Sequence, residues 1–170
     1  MSTWIASLAR RRWLLVLQLV LFLAVFLGAR AWTQRDMVAG EAPPIDTVLL
    51  DGRPVSLQAY RGRPVLVHFW ATWCKVCRLE QAAIQAIAED WPVLTIALQS
   101  GDAMTVQRYL SEHSLSWDTI ADPDGALAAR YGVRGVPSSF VVGPDGGIRY
   151  REVGFTTPWG LRARLWLAAR

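Results

Sequence analysis

Two cysteines separated by two residues follow an aromatic run in the segment Phe69-Trp70-Ala71-Thr72-Trp73-Cys74-Lys75-Val76-Cys77. It is entered through Val65 to Trp70, a short run of apolar side chains rich in β-branched and aromatic residues, which predicts a buried central strand. After the cysteines the period changes, because apolar side chains recur at helical spacing as far as Trp91, and Pro92 follows. We therefore expect a helix from Lys75 to Trp91, with both cysteines where the strand meets that helix.

The position of the cysteines has a chemical consequence. Cys74 falls at the expected N-terminus of the helix, where unpaired N–H groups and the helix dipole favour an anion. A thiolate is the nucleophile in disulfide exchange, so this position predicts a lowered pKa for Cys74. Cys77 follows one turn later and can close on Cys74, while Trp73 gives the first sulfur an apolar collar. We expect Cys74 to be exposed and reactive and Cys77 to be shielded.

Two other uses of the cysteine pair are weaker. An inert disulfide across so short a loop would constrain the unfolded chain little, so it would add little stability. A zinc or copper site would need further ligands, and neither His68 nor His113 has ligand spacing relative to the cysteines. Two cysteines are also too few for a disulfide scaffold. The pair therefore predicts redox exchange, and we assign no metal ligands.

The rest of the chain alternates strands with helices. Asp51-Gly52 lies between apolar stretches and predicts a hairpin within Val48 to Leu57. Further strands are predicted at 93–98, 138–142 and 148–153, and further helices at 104–113, 126–131 and 158–169. The tight turn from Pro144 to Gly147 makes a hairpin of the last two strands. This order predicts an α/β sheet with an antiparallel pair at one side.

The N-terminal region predicts a membrane anchor. Trp13 to Ala29 is an apolar run of 17 residues interrupted by Gln18, and its continuation brings it to the length of a bilayer core of about 30 Å. We assign a cytoplasmic tail to 1–12, a transmembrane anchor to 13–31, a linker to 32–44 and the folded domain to 45–170. The alternative is a cleaved signal peptide, for which Ala29-Arg30-Ala31 has a suitable small-x-small pattern.

The charge distribution sets the orientation of this anchor. The formal net charge of +4 equals the contribution of Arg10, Arg11, Arg12 and Arg30, so the rest of the chain is neutral. The basic character therefore indicates no nucleic-acid partner. By the positive-inside rule, the arginine triplet keeps the N-terminus in the cytoplasm. We expect a single-pass protein of the cell inner membrane whose C-terminal domain lies in the periplasm, where disulfides persist.

The run from Phe69 to Cys77 resembles the active-site segment of the thioredoxin superfamily. Gly135-Val136-Pro137 resembles its cis-proline loop, and the order of elements from Ile45 onward agrees. The N-terminal anchor, the Asp51-Gly52 hairpin and Glu80 are similar to the TlpA-type branch, which includes cytochrome c maturation thioredoxins. The anchor, the short linker and the active-site run are most similar to ScsD proteins, which are linked to suppression of copper sensitivity.

This resemblance implies a thioredoxin-like fold with an N-terminal β-hairpin extension, preceded by one transmembrane helix. It implies a thiol–disulfide oxidoreductase in which Cys74 attacks and Cys77 resolves. Pro137 would be cis, and the backbone of Val136 would pair with an extended substrate. The implied partners are periplasmic protein thiols or disulfides and a membrane electron-transfer protein, and no organic cofactor is needed. The alternative is a metallochaperone that binds Cu(I) through Cys74 and Cys77, because soft thiolates suit that ion.

Four further residues are candidates for support of the cysteines. His68 stands where thioredoxins carry a buried Asp, and it is either a general base for Cys77 or a hydrogen-bonded core residue. Glu80 matches a Glu that affects the acidity of the site in TlpA-type proteins, or it is a solvated helix residue. Lys75, the sole lysine, should favour the thiolate of Cys74. The dipeptide of Lys75 and Val76 affects the redox poise in the family.

Overall fold

The computed structural model describes the backbone of residues 2–170 and the side chains of residues 13–170. It divides the chain into two compact units, with the boundary between Arg35 and Asp36. The first unit is helix α1 (Ser2–Gln34), of which Trp13–Gln34 is long and apolar enough to cross a membrane. The cytoplasmic tail predicted for 1–12 rests on an arginine triplet whose side chains lie outside the described residues.

The boundary of the second unit differs from the predicted one. Residues 36–44, predicted as part of a linker, are packed onto the domain, with Met37 and Ala42 buried in its core. Backbone hydrogen bonds hold the segment, because Val38 N–H donates to the Tyr131 carbonyl and Ala42 N–H donates to the Gly146 carbonyl. The polar composition of the segment predicts a linker, whereas its two apolar side chains and its backbone groups find partners in the tertiary structure.

A small hairpin precedes the main sheet. Strands β1 (Asp46–Val48) and β2 (Pro54–Ser56) pair antiparallel around Asp51-Gly52, which confirms the predicted hairpin. Gly52 has φ +83°, a left-handed conformation that glycine adopts without strain. A 3₁₀-helix from Leu57 to Tyr60 then leads into the sheet.

Five strands form the main sheet of the second unit: β3 (Val65–Trp70), β4 (Val93–Leu98), β5 (Asp118–Asp122), β6 (Ser138–Val142) and β7 (Ile148–Val153). Their order is β5-β4-β3-β6-β7. The pairs β3–β4 and β4–β5 are parallel, whereas β3–β6 and β6–β7 are antiparallel. The structure thus confirms the predicted α/β fold with an antiparallel pair at one side, and β3 is its central strand.

Strand β5 is missing from the sequence-based prediction. Its sequence begins and ends with Asp, residues that are depleted in strands. The tertiary structure uses both ends: Asp118 forms an ion pair with Arg53, and the Asp122 carboxylate accepts hydrogen bonds from the N–H groups of Leu127 and Ala128. The strand is therefore defined by its pairing with β4 and by the residues that bind its terminal carboxylates, and its own apolar content is small.

Four helices complete the second unit: α2 (Lys75–Ala88), α3 (Ala103–Glu112), α4 (Ala126–Arg130) and α5 (Pro158–Ala168). Each lies close to its predicted range, although α2 ends before the predicted Trp91. Its last turn is closed by Glu89 as C-cap and by a hydrogen bond from Trp91 N–H to the Ile87 carbonyl. The apolar period therefore continues past the regular helix into a capping turn.

The sheet has two faces with different packing. Val65, Val67 and Phe69 of β3 point to what we call the apolar face, which packs against α4 and the 3₁₀-helix. Leu66, His68 and Trp70 point to the opposite face, which we call the site face. Helices α2, α3 and α5 pack on the site face, and both cysteines belong to its core.

Candidate active site

Cys74 and Cys77 form a disulfide at the start of α2, with their Cα atoms 5.3 Å apart. Cys74 is the N-cap residue of the helix, in an extended conformation with φ −82° and ψ 108°. Its Sγ accepts a hydrogen bond from the Cys77 N–H at 3.0 Å. One of the unpaired N–H groups of the helix start is thus directed at this sulfur, and the same donor would stabilise a Cys74 thiolate in the reduced protein.

The prediction that Cys74 is exposed is wrong for this disulfide-bonded state. The residue is 6% exposed, compared with 2% for Cys77, so both cysteines are buried. The Val136 carbonyl oxygen lies 3.6 Å from the Cys74 Sγ and covers one side of it. A sequence pattern places Cys74 at a helix terminus, but it does not show that a loop from beyond β5 packs on the sulfur.

That loop contains the predicted proline. The Val136–Pro137 peptide bond is cis, and Val136 is half-buried against the cores of both faces. The carbonyl oxygen of Pro137 accepts a hydrogen bond from Gly154 N–H at 2.8 Å. Ser138 Oγ donates to the Gly135 carbonyl at 2.8 Å and braces the loop from its other side. The loop therefore presents its backbone beside Cys74 in a fixed position.

The turn before Cys74 is anchored to the end of β4. The indole N–H of Trp73 donates to the carbonyl of Gln99 at 3.0 Å, and Thr72 N–H donates to Ser100 Oγ at 3.0 Å. Gln99 has φ +45°, an uncommon conformation for a residue with a side chain. Sequence reasoning missed Gln99 and Ser100. The available signal was that parallel neighbours β3 and β4 bring their carboxyl ends to the same edge.

His68 is buried in the middle of β3, where it is 1% exposed. Its Nδ1 lies 2.9 Å from the Oγ of Ser139, the residue opposite it on β6. Burial lowers the pKa of His68 from 6.5 to about 4, because the charged imidazolium loses its hydration. His68 is therefore neutral and hydrogen-bonded at pH 7, which agrees with the second of its two predicted roles.

Glu80 is also buried, and it lies one helical turn after Cys77 on α2. It is 2% exposed, and it accepts a hydrogen bond from the backbone N–H of Thr156. Burial raises the pKa of Glu80 to about 7, and the Thr156 N–H opposes this by favouring the carboxylate. Glu80 is thus a buried carboxyl group that changes protonation near neutral pH, and the reading of it as a solvated residue is wrong.

The two residues between the cysteines face solvent. Lys75 is exposed, and Val76 is 42% exposed. Trp73, just before the pair, is 57% exposed despite the hydrogen bond of its indole, so its ring forms part of the outer surface. The exposed side chains from Trp73 to Val76 are therefore one cation and two apolar groups.

No group of three or more His, Cys, Asp or Glu residues that could hold a metal ion occurs in the part of the chain that the structure describes. A cleft of about 420 Å³ lies at the far end of α2 and is lined by residues such as Tyr60, Glu89 and Trp117. None of its lining residues is a predicted site residue.

A comparison of the chain with protein-family models finds a match over residues 38–151, which include the hairpin, the disulfide and the Val136–Pro137 loop. The chain belongs to the AhpC/TSA family. A thioredoxin-like protein of Haemophilus influenzae is 33% identical to it over 154 residues, which cover 89% of this chain and 92% of the relative. The thiol:disulfide interchange protein DsbE of Pseudomonas fluorescens is 34% identical over 153 residues, covering 85% and 86%.

The fold of this AhpC/TSA-family chain is shared with solved structures. A thiol:disulfide interchange protein of the thioredoxin family from Chlorobium tepidum matches it with a TM-score of 0.66 over 79% of this chain and 99% of that one. The identity of 23% limits this likeness to the fold. The relatives and the Cys74–Cys77 disulfide show that the chain is a thiol–disulfide oxidoreductase, and its fold is thioredoxin-like.

Proposed function

We propose that the protein is a membrane-anchored oxidoreductase that exchanges disulfides with protein substrates in the periplasm. The observation that carries the proposal is the Cys74–Cys77 disulfide at the N-terminus of α2, with Cys74 Sγ already accepting the Cys77 N–H. A leaving or attacking sulfur at Cys74 is stabilised as a thiolate by that donor and by the helix dipole. The same arrangement therefore serves both directions of the exchange.

The exchange is a pair of substitutions at sulfur. A substrate thiolate attacks Cys74 Sγ, a new S–S bond forms, and the bond to Cys77 breaks, so that Cys77 leaves as a thiolate and takes up a proton. A second substrate thiolate then attacks the substrate sulfur of this mixed disulfide and releases Cys74 as a thiolate. Two electrons pass from the substrate to the protein, and the reverse sequence returns them. A membrane electron-transfer protein would reset the pair.

Glu80 is the better candidate for the group that gives this proton to Cys77 and accepts it in the reverse direction, when Cys77 attacks. It lies three residues after Cys77, so the two side chains are neighbours on one face of α2. A general base works best when its pKa is near the working pH, and the pKa of about 7 at Glu80 meets this condition. The pKa of about 4 at His68 makes that imidazole a poor base. We therefore assign proton transfer to Glu80 and keep His68 as a hydrogen-bonding residue.

Substrate recognition would use the loop at Val136. Its carbonyl lies 3.6 Å from Cys74 Sγ, so a polypeptide that pairs with this backbone brings its own cysteine to the disulfide. Main-chain pairing gives affinity without dependence on the substrate sequence. The exposed side chains of Trp73 and Val76 would contact the substrate on the other side of the cysteine pair.

The location proposed here rests on the apolar segment Trp13–Gln34 and on Arg10 to Arg12 before it. Retained as an anchor, this segment would hold the enzyme at the inner membrane with its cysteines in the periplasm. A reporter active only outside the cytoplasm, fused after Arg170, should be active. The TlpA-type and ScsD-like assignment, with its context of copper tolerance or cytochrome c maturation, belongs to this proposal and rests on the sequence resemblance.

Trapping of mixed disulfides tests the proposed exchange. Cys77→Ala should accumulate covalent complexes with periplasmic proteins, because Cys74 still attacks and the resolving thiol is absent. Cys74→Ala is the matched control and should trap none. Complexes with both variants, or with neither, would contradict the assigned roles. Stoichiometric Cu(I) binding by the reduced protein without any trapping would favour the metallochaperone alternative instead.

A further inference from the structure

One residue separates the apolar N-terminal segment from the folded domain. Trp13–Gln34 is the segment long and apolar enough to cross a membrane, and the second unit begins at Asp36, so Arg35 alone lies between them. One extended residue spans about 3.5 Å. The place where Asp36 is held on the domain therefore decides which part of the domain lies closest to the end of the anchor, whatever the angle between helix and domain.

Asp36 is fixed beside the segment that precedes the Val136–Pro137 loop. Its carboxylate forms an ion pair with the Nε of Arg134 at 3.1 Å. Its carbonyl oxygen lies so close to Gly132 that a Cβ atom at this glycine would overlap it. The chain therefore enters the domain directly before the loop whose backbone covers Cys74.

The direction of the entering segment agrees with this position. We call the edge where β3 ends and β6 begins the site edge, because the cysteines and the Val136–Pro137 loop lie there. Strand β7 is antiparallel to β6 and runs toward this edge. At the start of β7, Ile148 N–H donates to the Gly40 carbonyl, and further along it the Arg151 side chain donates to the Met37 carbonyl at 2.9 Å. The entering segment therefore runs antiparallel to β7, with its first residue toward the site edge.

The contact between Asp36 and Gly132 bounds the distance from the entry point to the disulfide. Gly132 and Val136 are four residues apart in the chain and span at most about 14 Å. The Val136 carbonyl oxygen lies 3.6 Å from the Cys74 Sγ. This sulfur therefore lies within about 25 Å of the Asp36 Cα. Entry at the opposite edge would separate the two by up to the diameter of a domain of this length, roughly 35 Å.

We propose that this attachment makes proteins held at the membrane surface the preferred partners of the Cys74–Cys77 pair, namely proteins whose reactive sulfur lies within about 30 Å of the bilayer. The inference rests on the proposed exchange and on a retained anchor. Two groups confined to so thin a layer have a raised effective concentration for each other. The chemistry is the exchange described above, with a membrane-held dithiol as donor or a membrane-held disulfide as acceptor of the two electrons.

Energy transfer from the site edge to the membrane tests the geometry. Lys75 is the sole lysine, so a donor dye can be coupled to it after the N-terminal amine is blocked. The full chain is placed in lipid nanodiscs whose headgroups carry the acceptor dye. A Gly-Ser insert of about 60 residues between Arg35 and Asp36 has a root-mean-square length of about 40 Å, and it should lower the transfer rate about tenfold, because this rate falls with the fourth power of the height above the acceptor layer. The same insert after Arg170 is the matched control and should leave the rate unchanged.

Moving the lysine shows which edge of the domain lies nearer to the membrane. Arg63 is exposed and precedes β3, so it lies toward the opposite edge. The double variant Lys75→Arg, Arg63→Lys should therefore show slower transfer than the wild type labelled at Lys75. Equal or faster transfer in the double variant would overturn the proposal. An unchanged transfer rate from Lys75 after the insertion between Arg35 and Asp36 would overturn it as well.

Exchange with a membrane-held probe tests the choice of partner. The probe is a dithiol peptide coupled to a lipid headgroup by a short spacer, and the same peptide free in solution is the reference. The ratio of the two oxidation rates should be about threefold higher for the oxidised wild type than for the chain with the insert before Asp36, because the insert spreads the cysteine pair over a deeper layer. Equal ratios in two chains that both oxidise the free peptide would overturn this inference alone. A wild type that oxidises neither peptide would refute the proposed exchange, and this inference would fall with it.

Discussion

The two faces of the sheet differ in what the same strands contribute to them. On the apolar face, Phe69, Tyr131 and Phe140 pack with ring centroids 5.1–5.9 Å apart. On the site face, the alternate residues of β3 include the buried His68, and Leu66 and Trp70 beside it pack with both cysteines, while α2 on this face also carries the buried Glu80. The apolar face thus holds the domain together, while the site face buries polar groups that support the disulfide. Four substitutions test this division.

The largest effect is expected from Phe140→Ala on the apolar face. Removal of a fully buried ring from the aromatic trio should lower the free energy of unfolding by about 3–5 kcal/mol. The reduction potential of the folded protein should stay unchanged, because the ring lies on the face opposite the cysteines. Denaturant unfolding and equilibration with a thiol redox buffer measure the two quantities. A large change of the potential with little loss of stability would show that the faces are coupled.

His68 should make stability depend on acid pH. The pKa of His68 in the folded protein, about 4, is lower than the ordinary 6.5. Its contribution to the free energy of unfolding is therefore fully present above pH 6.5 and is lost as the pH falls through 4. The expected loss is about 3 kcal/mol, and His68→Asn should remove it. Denaturant unfolding at pH 7 and pH 4 measures it, with the exposed His113→Asn as the control. Equal pH dependence in both variants would place the titrating group elsewhere.

Glu80 should make the free energy of unfolding change with pH in the opposite direction. The pKa of Glu80 in the folded protein, about 7, is higher than the ordinary 4.5. Its contribution to the free energy of unfolding is therefore present below pH 4.5 and is lost as the pH rises through 7. The free energy of unfolding of Glu80→Gln should therefore rise by about 3 kcal/mol relative to that of the wild type between pH 4.5 and pH 8. It should also slow the resolution of mixed disulfides. Glu89→Gln, an exposed position near the end of the same helix, is the control and should do neither.

The smallest effect is expected at Lys75. Its charge is next to Cys74 but exposed, so solvent and salt screen it, and the favourable effect on the thiolate is below about 1 kcal/mol. Lys75→Ala should raise the pKa of Cys74 and make the reduction potential of the Cys74–Cys77 disulfide more negative by less than about 20 mV. The shift should shrink in high salt. Arg78→Ala, one turn further on, is the control. No shift at low salt would leave activation of Cys74 to the helix terminus alone.

The elements with a clear periodic or turn signal could be predicted from the sequence. The apolar run of β3, the period of α2 and the Asp51-Gly52 turn act over a few residues, so local patterns predict them. The placement of Cys74 at a helix start follows from the same patterns. Strand β5 could not be predicted in this way, because its Asp residues are satisfied by Arg53 and by the N-terminus of α4, which are far from it along the chain.

The environment of the site residues depends on contacts between segments that are far apart in the chain. The burial of Cys74 depends on Val136, 62 residues later, and the partner of His68 is Ser139, 71 residues later. Glu80 has the pattern of an ordinary helix charge, and its pKa of about 7 arises because the segment at Thr156 covers it. Residue type fixes which groups can react, but the pKa and the accessibility of each group depend on desolvation and on partners that meet only when the sheet forms.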